Sequence, residues 1–162
     1  MEPKIENASA KIFIGFRMKM SLTNNQTFTL WNAFMKRQKE IKNRISSDLF
    51  SLQCYQEGYF NHFNPANEFE KWAAVEVDAV ASVPENMETL RLAAGNYAVF
   101  THIGGAETAA KTFQYIFQQW LPQSEYDLDN RPHFEILGDK YKKGSPDSEE
   151  EIWIPIQPKL KN

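Results

Sequence analysis

The chain has 162 residues, 42% of them hydrophobic, which is enough for one domain with a substantial core and too short for two ordinary domains. A net charge of −3 argues against the basic surface that direct nucleic-acid binding requires. The lone cysteine excludes an internal disulfide framework and favours a reducing compartment. We expect a cytoplasmic protein, because the sequence shows neither a signal peptide's apolar run nor a membrane-spanning stretch.

The first half of the chain predicts a β-α-β-β unit over residues 11–80. Alternating side chains after Phe13 indicate the opening strand, and Phe28, Trp31 and Phe34 recur at helical spacing. The predicted elements are, in chain order, a strand (11–21), a helix (27–43) and two strands (48–56 and 71–80).

The second half repeats this order over residues 95–158, after a connecting segment. Its helix carries an apolar stripe that includes Phe117 and ends at Pro122, since proline cannot continue a helix. We expect Phe117 and Ile154 to be core residues. The predicted elements are a strand (95–105), a helix (106–122) and two strands (131–141 and 151–158).

The last strands of the two halves align when the sequence VEV (75–77) is placed on IPI (154–156). Each strand then has an aliphatic face suited to packing under a helix. The other face carries Trp72 in one half and Glu151 and Trp153 in the other. This pattern predicts a cleft between the halves.

The second half resembles the GyrI-like family, also called the AraC-type effector-binding domain, in the stretches NYAVFTHIGG, FQYIFQQWLPQSEYDLDNRPHFEIL and EIWIPI. The stretches IGFRMKMS and LWNAF sit where that family has its opening strand and helix, so the resemblance covers about residues 11–158. It implies an α+β fold in which two pseudo-symmetric β-α-β-β units form a curved antiparallel sheet, with helices on one side and a ligand cleft on the other.

The resemblance also implies a function and a site. Family members bind small, often cationic or aromatic, molecules, some of them as multidrug binders in bacterial transcription regulation. The family's buried glutamate corresponds to Glu135 of HFEIL, with Glu151 and Trp153 beside it. Only about ten residues precede the first predicted strand, so we expect a stand-alone member without a DNA-reading helix pair.

Glu135 lies between Phe134 and Ile136 on an alternating strand, so its carboxylate points into the cleft if those two residues pack under a helix. A carboxylate in an apolar, aromatic wall favours a cation that supplies the missing partner. The alternative is an exposed glutamate, or one that is hydrogen-bonded to a tyrosine.

Glu151 and Trp153 form a candidate cation-binding wall, because an indole face attracts cations. The alternative is that Glu151 ends a solvated acidic run with Glu149 and Glu150, and that Trp153 packs at an edge. Trp72 is a weaker candidate of the same kind.

Tyr97 and Phe100 are further candidates for the ligand site. They face opposite sides of one strand, so at most one of them lines the cleft, and the sequence does not say which.

The three histidines, His62, His102 and His133, show no ligand spacing, and we predict no metal site. The glycine pair in HIGG lacks the pattern of a dinucleotide or phosphate loop, so we predict no cofactor.

Three functions follow as hypotheses. The first is a small-molecule-binding module for amphipathic, cationic aromatic ligands that performs no chemistry. The second is a hydrolase in the same cleft, with Glu135 as general acid or base. The third is a protein-interaction module, such as a gyrase inhibitor, whose basic first helix or aromatic loop contacts a regulator or gyrase.

Overall fold

A computed structural model describes residues 1–160 of the chain. Within that part, nine strands and two principal helices follow one another. The strands are β1 (Lys4–Ala8), β2 (Lys11–Met20), β3 (Leu49–Cys54), β4 (Phe69–Val77), β5 (Glu88–Leu92), β6 (Gly95–Ile103), β7 (Tyr126–Leu128), β8 (His133–Leu137) and β9 (Glu149–Pro158). The helices are α1 (Thr27–Arg37) and α2 (Ala106–Tyr115). A 3-10 turn (Gln38–Glu40) follows α1, and a π-helical turn (Ile116–Trp120) and a last α-turn (Leu121–Gln123) follow α2.

The α+β fold with two β-α-β-β units is confirmed, and all eight predicted elements are present with slightly different ends. Three further strands, β1, β5 and β7, have no counterpart in the prediction. β1 and β5 lie at the two edges of the sheet and bury only one residue each, so they carry little of the hydrophobic alternation that identifies a strand.

The strands form an antiparallel sheet in the order β1-β6-β9-β8-β3-β4-β2-β5, and β7 pairs with the end of β9. β1 precedes β2 but pairs with β6, whereas β5 precedes β6 but pairs with β2. Each connection is only two residues long, Ser9–Ala10 and Ala93–Ala94. Because so short a link joins one edge of the sheet to a strand near the other, the sheet must curve strongly.

Both helices lie on the same face of this sheet. Ala73, Ser51, Glu135 and Ile152 are successive partners across β4, β3, β8 and β9, and directly opposed residues point to one face. Ala73 packs in the cluster beneath α1, and Ile152 packs in the cluster beneath α2. The central strands β3 and β8 therefore lie below the gap between the two helices.

A third hydrophobic cluster fills the opposite face of the sheet and is rich in aromatic residues. Neighbouring rings lie 4.9 Å apart for Phe13 and Phe50 and 5.1 Å apart for Tyr97 and Phe134, measured between centroids. Its buried members are Ala8, Phe13, Phe50, Leu52, Trp72, Ala74, Leu92, Tyr97, Val99 and Phe134. On the face without helices, side chains of the sheet itself therefore fill the space that its curvature encloses.

Candidate functional site

Polar side chains lie on the helix face of the two central strands. Ser51 and Gln53 of β3 stand directly opposite Glu135 and His133 of β8, and the Gln53 amide nitrogen donates to the Ser51 hydroxyl at 3.0 Å. The alternate residues of the same strands, among them Leu52 and Phe134, belong to the aromatic cluster on the other face. We call the region above these four polar residues, between the two helical segments, the groove; Ser51, Gln53 and His133 are buried within it.

The two halves of the chain meet in the groove. With β4 and β9 aligned as the sequence suggests, Phe50 and Phe134 occupy equivalent positions, and so do Ser51 and Glu135. Since Ser51 is also the cross-strand partner of Glu135, the pseudo-twofold axis passes between these two residues. The fold therefore places Glu135 at its centre, with a small hydroxyl as its symmetry mate.

The structure corrects the predicted grouping of Glu135 with Trp153. Phe134 is the partner of Trp153, and their rings stack 5.1 Å apart on the face without helices. Glu135 points the other way, into the groove. The prediction depended on Phe134 and Ile136 packing under a helix, whereas both pack against the aromatic cluster on the opposite face.

A second carboxyl group lies beside Glu135. Glu150 is two residues before Ile152, the cross-strand partner of Glu135, so Glu150 is on the same face at a diagonal position. The two carboxyl groups are within hydrogen-bonding reach of each other. Such a bond requires that the pair hold one proton. The expectation that Glu150 belongs to a solvated run is therefore wrong.

The proton affinity of this pair is high. Burial, followed by the nearby Glu150 charge, raises the pKa of Glu135 to about 7. Burial is also the largest cause that raises the pKa of Glu150. Near neutral pH the groove therefore contains two carboxyl groups that share a proton and readily release it.

Aromatic rings cover the polar floor of the groove. Phe60, from the loop between β3 and β4, stacks on Phe117 of the π-helical turn after α2 at 5.1 Å and on the His133 ring at 5.5 Å. We call α2 together with the two turns that follow it the second helix. Tyr55 meets His133 edge-on at 4.9 Å. Burial lowers the pKa of His133 to about 3, so this ring is neutral at physiological pH. Phe117, expected in the core, is half-buried and borders the groove.

Burial, together with the charges of the carboxyl pair, raises the pKa values of two tyrosine hydroxyls. Burial is the main cause that raises the pKa of Tyr55, and the Glu135 charge adds to it. The pKa of Tyr141, in the hairpin between β8 and β9, is raised by burial and by Glu150. Both hydroxyls therefore stay protonated at neutral pH and can donate hydrogen bonds.

The other predicted site residues are not in the groove. Trp72 and Tyr97 are buried in the aromatic cluster on the opposite face, where the Tyr97 hydroxyl donates to the Pro132 carbonyl at 3.0 Å. Phe100 is on the face of Glu135 but is fully buried under the second helix, with its ring 5.1 Å from that of Trp120. Neither Tyr97 nor Phe100 is exposed to a ligand in this conformation.

Glu151 and Trp153 do stand side by side, as the sequence predicts, on the face opposite the groove. The indole nitrogen of Trp153 donates to the Glu151 carboxylate at 3.1 Å. Glu151 is exposed and Trp153 is half-buried. A shallow depression at the adjoining strand ends is lined by charged residues: Asp48, Asp139, Lys140, Glu149, Glu150 and Glu151.

The sequence reasoning missed Tyr55, Phe60, Lys71 and Glu150 as groove residues. A signal for two of them was present, because Lys71 alternates in phase with the aliphatic face Ala73 and Glu150 is in phase with Ile152. If the alternation of each strand is extended by two residues towards its start, both polar side chains are assigned to the helix face. Tyr55 and Phe60 lie in or next to a loop, where no periodicity assigns a direction.

Residues 1–160 contain no group of three metal-ligating side chains arranged around one point. None of the helices in that range is both long enough and apolar enough to cross a bilayer.

Comparisons with known proteins identify the family. A family model described as the GyrI-like small molecule binding domain matches residues 1–157. The transcriptional regulator BrlR of Pseudomonas aeruginosa is 28% identical over 157 residues, which are 96% of this chain and 56% of BrlR. The chain thus spans little more than half the length of that relative.

Two solved structures share the fold. SAV2435 bound to tetraphenylphosphonium has a TM-score of 0.73 at 16% identity, over 97% of this chain and 94% of that one. A hydrolase encoded by lin2189 from Listeria innocua has a TM-score of 0.59 at 13% identity, over 96% of this chain and 92% of that one.

Proposed function

The chain belongs to the GyrI-like small-molecule-binding family, and we propose that it binds amphipathic, cationic aromatic molecules in the groove between α1 and α2. The observation that carries this proposal is the carboxyl pair of Glu135 and Glu150, which lies on the same face of the sheet as the stacked rings of Phe60 and His133. A buried carboxylate without a cationic partner is unfavourable, and a bound cation supplies that partner.

The carboxyl pair holds a proton when the groove is empty and exchanges it for a cation when a ligand binds, so its charge is compensated in both states. In the empty protein the shared proton reduces the charge of the pair. A cationic ligand replaces that proton and leaves a carboxylate that is attracted to the ligand in a poorly solvated site. The raised pKa of Glu135 keeps the proton loosely held near neutral pH, so its release costs little free energy.

The aromatic residues supply the apolar part of the binding energy. Phe60, Phe117 and Tyr55 offer ring faces and edges to a flat ligand, and ring faces also stabilise positive charge. Phe60 now stacks on Phe117 and His133, so a ligand must displace it. Because Phe60 belongs to the loop between β3 and β4, its displacement does not disturb a sheet hydrogen bond.

The likeness to SAV2435, which was solved with tetraphenylphosphonium, supports a lipophilic cation as the ligand class. The likeness to BrlR supports a role in transcription regulation. In this proposal the protein acts in the bacterial cytoplasm, tolerates several drug-like cations, and passes its ligand state to a protein partner, a regulator or gyrase, without contacting nucleic acid itself.

The test is tetraphenylphosphonium binding by calorimetry, compared between the parent protein and the variants Glu135→Gln and Glu151→Gln. Glu135→Gln keeps the shape but removes the charge, so affinity is expected to fall roughly 30-fold or more, since losing one partner of a desolvated charge pair costs about 2 to 5 kcal/mol. Glu151→Gln, on the opposite face, is expected to bind like the parent. The reverse pattern would move the site to the wall of Glu151 and Trp153.

Hydrolysis in the same groove is the second candidate. A carboxyl group with a pKa of about 7 is suited to act as general acid or base at neutral pH, and the likeness to the Listeria innocua hydrolase favours the same chemistry. Incubation with ester or strained-ring aromatics, followed by mass spectrometry, tests it. Product that forms with the parent but not with Glu135→Gln would establish an enzyme.

A further inference from the structure

Lys71 introduces a positive charge into the groove. It is on β4 in phase with Ala73, which is level with Glu135 across the sheet, so its side chain emerges on the helix face. The Lys71 ammonium donates to the hydroxyl of Thr27, the first residue of α1, at 3.2 Å. Lys71 thus sits at the α1 side of the groove, opposite the second helix.

The Lys71 ammonium is incompletely partnered. Within residues 1–160 no carboxylate comes within 4 Å of it, although Lys11 lies 3.7 Å from Glu76 and Lys142 lies 3.0 Å from Asp147. An ammonium group has three donors, and a hydroxyl satisfies one of them without supplying charge. Burial lowers the pKa of Lys71, while Glu135 and Glu150 oppose that shift. The group is near the acidic pair but is not paired with it.

We propose that the groove is built for a zwitterionic aromatic ligand, whose cationic group meets Glu135 and Glu150 and whose carboxylate or other anionic group meets Lys71. This inference rests on the proposed binding function and specifies its ligand class. It assigns Lys71 as the residue that determines charge selectivity.

The charge balance of the groove supports this ligand class. The carboxyl pair offers negative charge to a ligand, and the Lys71 ammonium on the other side of the groove offers positive charge. A zwitterion matches both groups, whereas a simple cation leaves the Lys71 charge unpaired and is repelled by it. Two like charges confined in a poorly solvated groove repel more strongly than they would in water.

The spacing of the groups defines the shape of the ligand. β8 and β4 are separated by β3, and Lys71 is two residues along the strand from the level of Glu135. With about 4.8 Å between strands and about 3.4 Å per residue, the two Cα atoms are about 12 Å apart before the side chains reach inward. A ligand whose two charges are separated by a ring, as in a carboxyphenyl dye, can reach both groups from its two ends.

Rhodamine 110 and rhodamine 123 test this directly by fluorescence anisotropy. Both share one cationic ring system, but rhodamine 110 has a free carboxylate and rhodamine 123 has its methyl ester. We expect the parent protein to bind the zwitterion at least as tightly as the cation. A parent that prefers rhodamine 123 tenfold or more would overturn the inference without any variant and would leave the proposed function intact.

The variant Lys71→Met should weaken rhodamine 110 binding roughly tenfold or more, since hydrogen bonds to charged groups are among the stronger ones. It should leave rhodamine 123 binding unchanged or tighter, because a repulsion is removed. Lys71→Arg should restore rhodamine 110 binding. Lys19→Met is the matched control, an exposed lysine on the opposite face of the neighbouring strand, and should change neither affinity.

The remaining outcomes also decide the question. Equal weakening of both dyes by Lys71→Met, in a variant whose melting temperature matches the parent's, would make Lys71 a structural residue and overturn the inference. If the parent protein binds neither dye, the proposed function falls and the inference falls with it.

Discussion

The two faces of strands β3 and β8 share one backbone and differ in what they can do. On the face without helices, Phe50, Leu52 and Phe134 are fully packed among other aromatic residues. On the helix face, Ser51 and Glu135 are cross-strand partners and form a polar floor below the gap between the two helical segments. The difference shows that a gap between two helices, placed over the central strands, converts the middle of a sheet from core into a candidate binding site.

The largest difference between the two faces should appear in the stability lost when an aromatic residue of each is removed. Replacing Phe134 with Ala leaves a cavity in the aromatic cluster and should lower the free energy of unfolding by about 3 to 5 kcal/mol. Phe117→Ala removes a half-buried ring at the groove and should cost about half as much. Urea denaturation measures both. Equal losses would mean that the groove is packed like the core.

Ligand binding should rank the same two variants in the opposite order. Phe117→Ala should weaken tetraphenylphosphonium, whereas Phe134→Ala should not as long as the protein remains folded. Ile154, which is buried under the second helix as predicted, serves as a helix-side core control: Ile154→Ala should cost about 2 to 5 kcal/mol in stability.

The groove should also respond to pH in a way that the opposite face does not. Tetraphenylphosphonium keeps its charge at every pH, so any pH dependence comes from the protein. Because Glu135 must lose its proton to pair with the cation, affinity should fall about 50-fold from pH 7 to pH 5. His133, with a pKa of about 3, stays neutral throughout this range. A flat profile would contradict the proton exchange.

Stability should also depend on pH through Glu135, but it should fall as pH rises, whereas affinity for the cation should increase. Glu135 has its usual pKa in the unfolded chain and about 7 in the folded one, so the folded state binds more protons in that interval. The free energy of unfolding therefore falls as pH rises from about 4.5 to 7. Glu135→Gln removes this penalty and should stabilise the empty protein by about 3 kcal/mol at pH 8, with almost no gain at pH 4.

The control for that stability change is Glu151→Gln, since Glu151 is exposed on the opposite face. Thermal melts at pH 4 and pH 8 compare the two variants. If both gain equally at pH 8, the effect reflects the net charge of the protein and not the groove.

The smallest effect should come from the Glu151 and Trp153 contact. Its hydrogen bond joins an exposed carboxylate to a half-buried indole, so Glu151→Gln should change stability by less than about 1 kcal/mol. Trp153→Ala should cost more, because its ring stacks on Phe134. If Trp153→Ala abolished cation binding and Phe117→Ala did not, the ligand would bind on this face.

The alternating patterns determined much of the fold. The order of strands and helices, the match between the two halves and the pairing of Glu151 with Trp153 on one face all follow from side-chain periodicity, which the chain carries locally. The sequence also predicts Glu135 as a candidate ligand-binding residue, through its place in a strand that resembles those of a known family.

Only the tertiary structure decided which face of each central strand meets the helices. Alternation says that Phe134 and Glu135 point to opposite sides but not which side the helices cover, and the choice depends on pairing β3 with β8, 84 residues apart in the case of Ser51 and Glu135. The edge strands likewise follow from long-range pairing: β1 pairs with β6 of the second half, and β5 pairs with β2 of the first half. The approach of Glu150 and Lys71 to Glu135 is a property of the assembled sheet, because their charges interact only after the chain has folded.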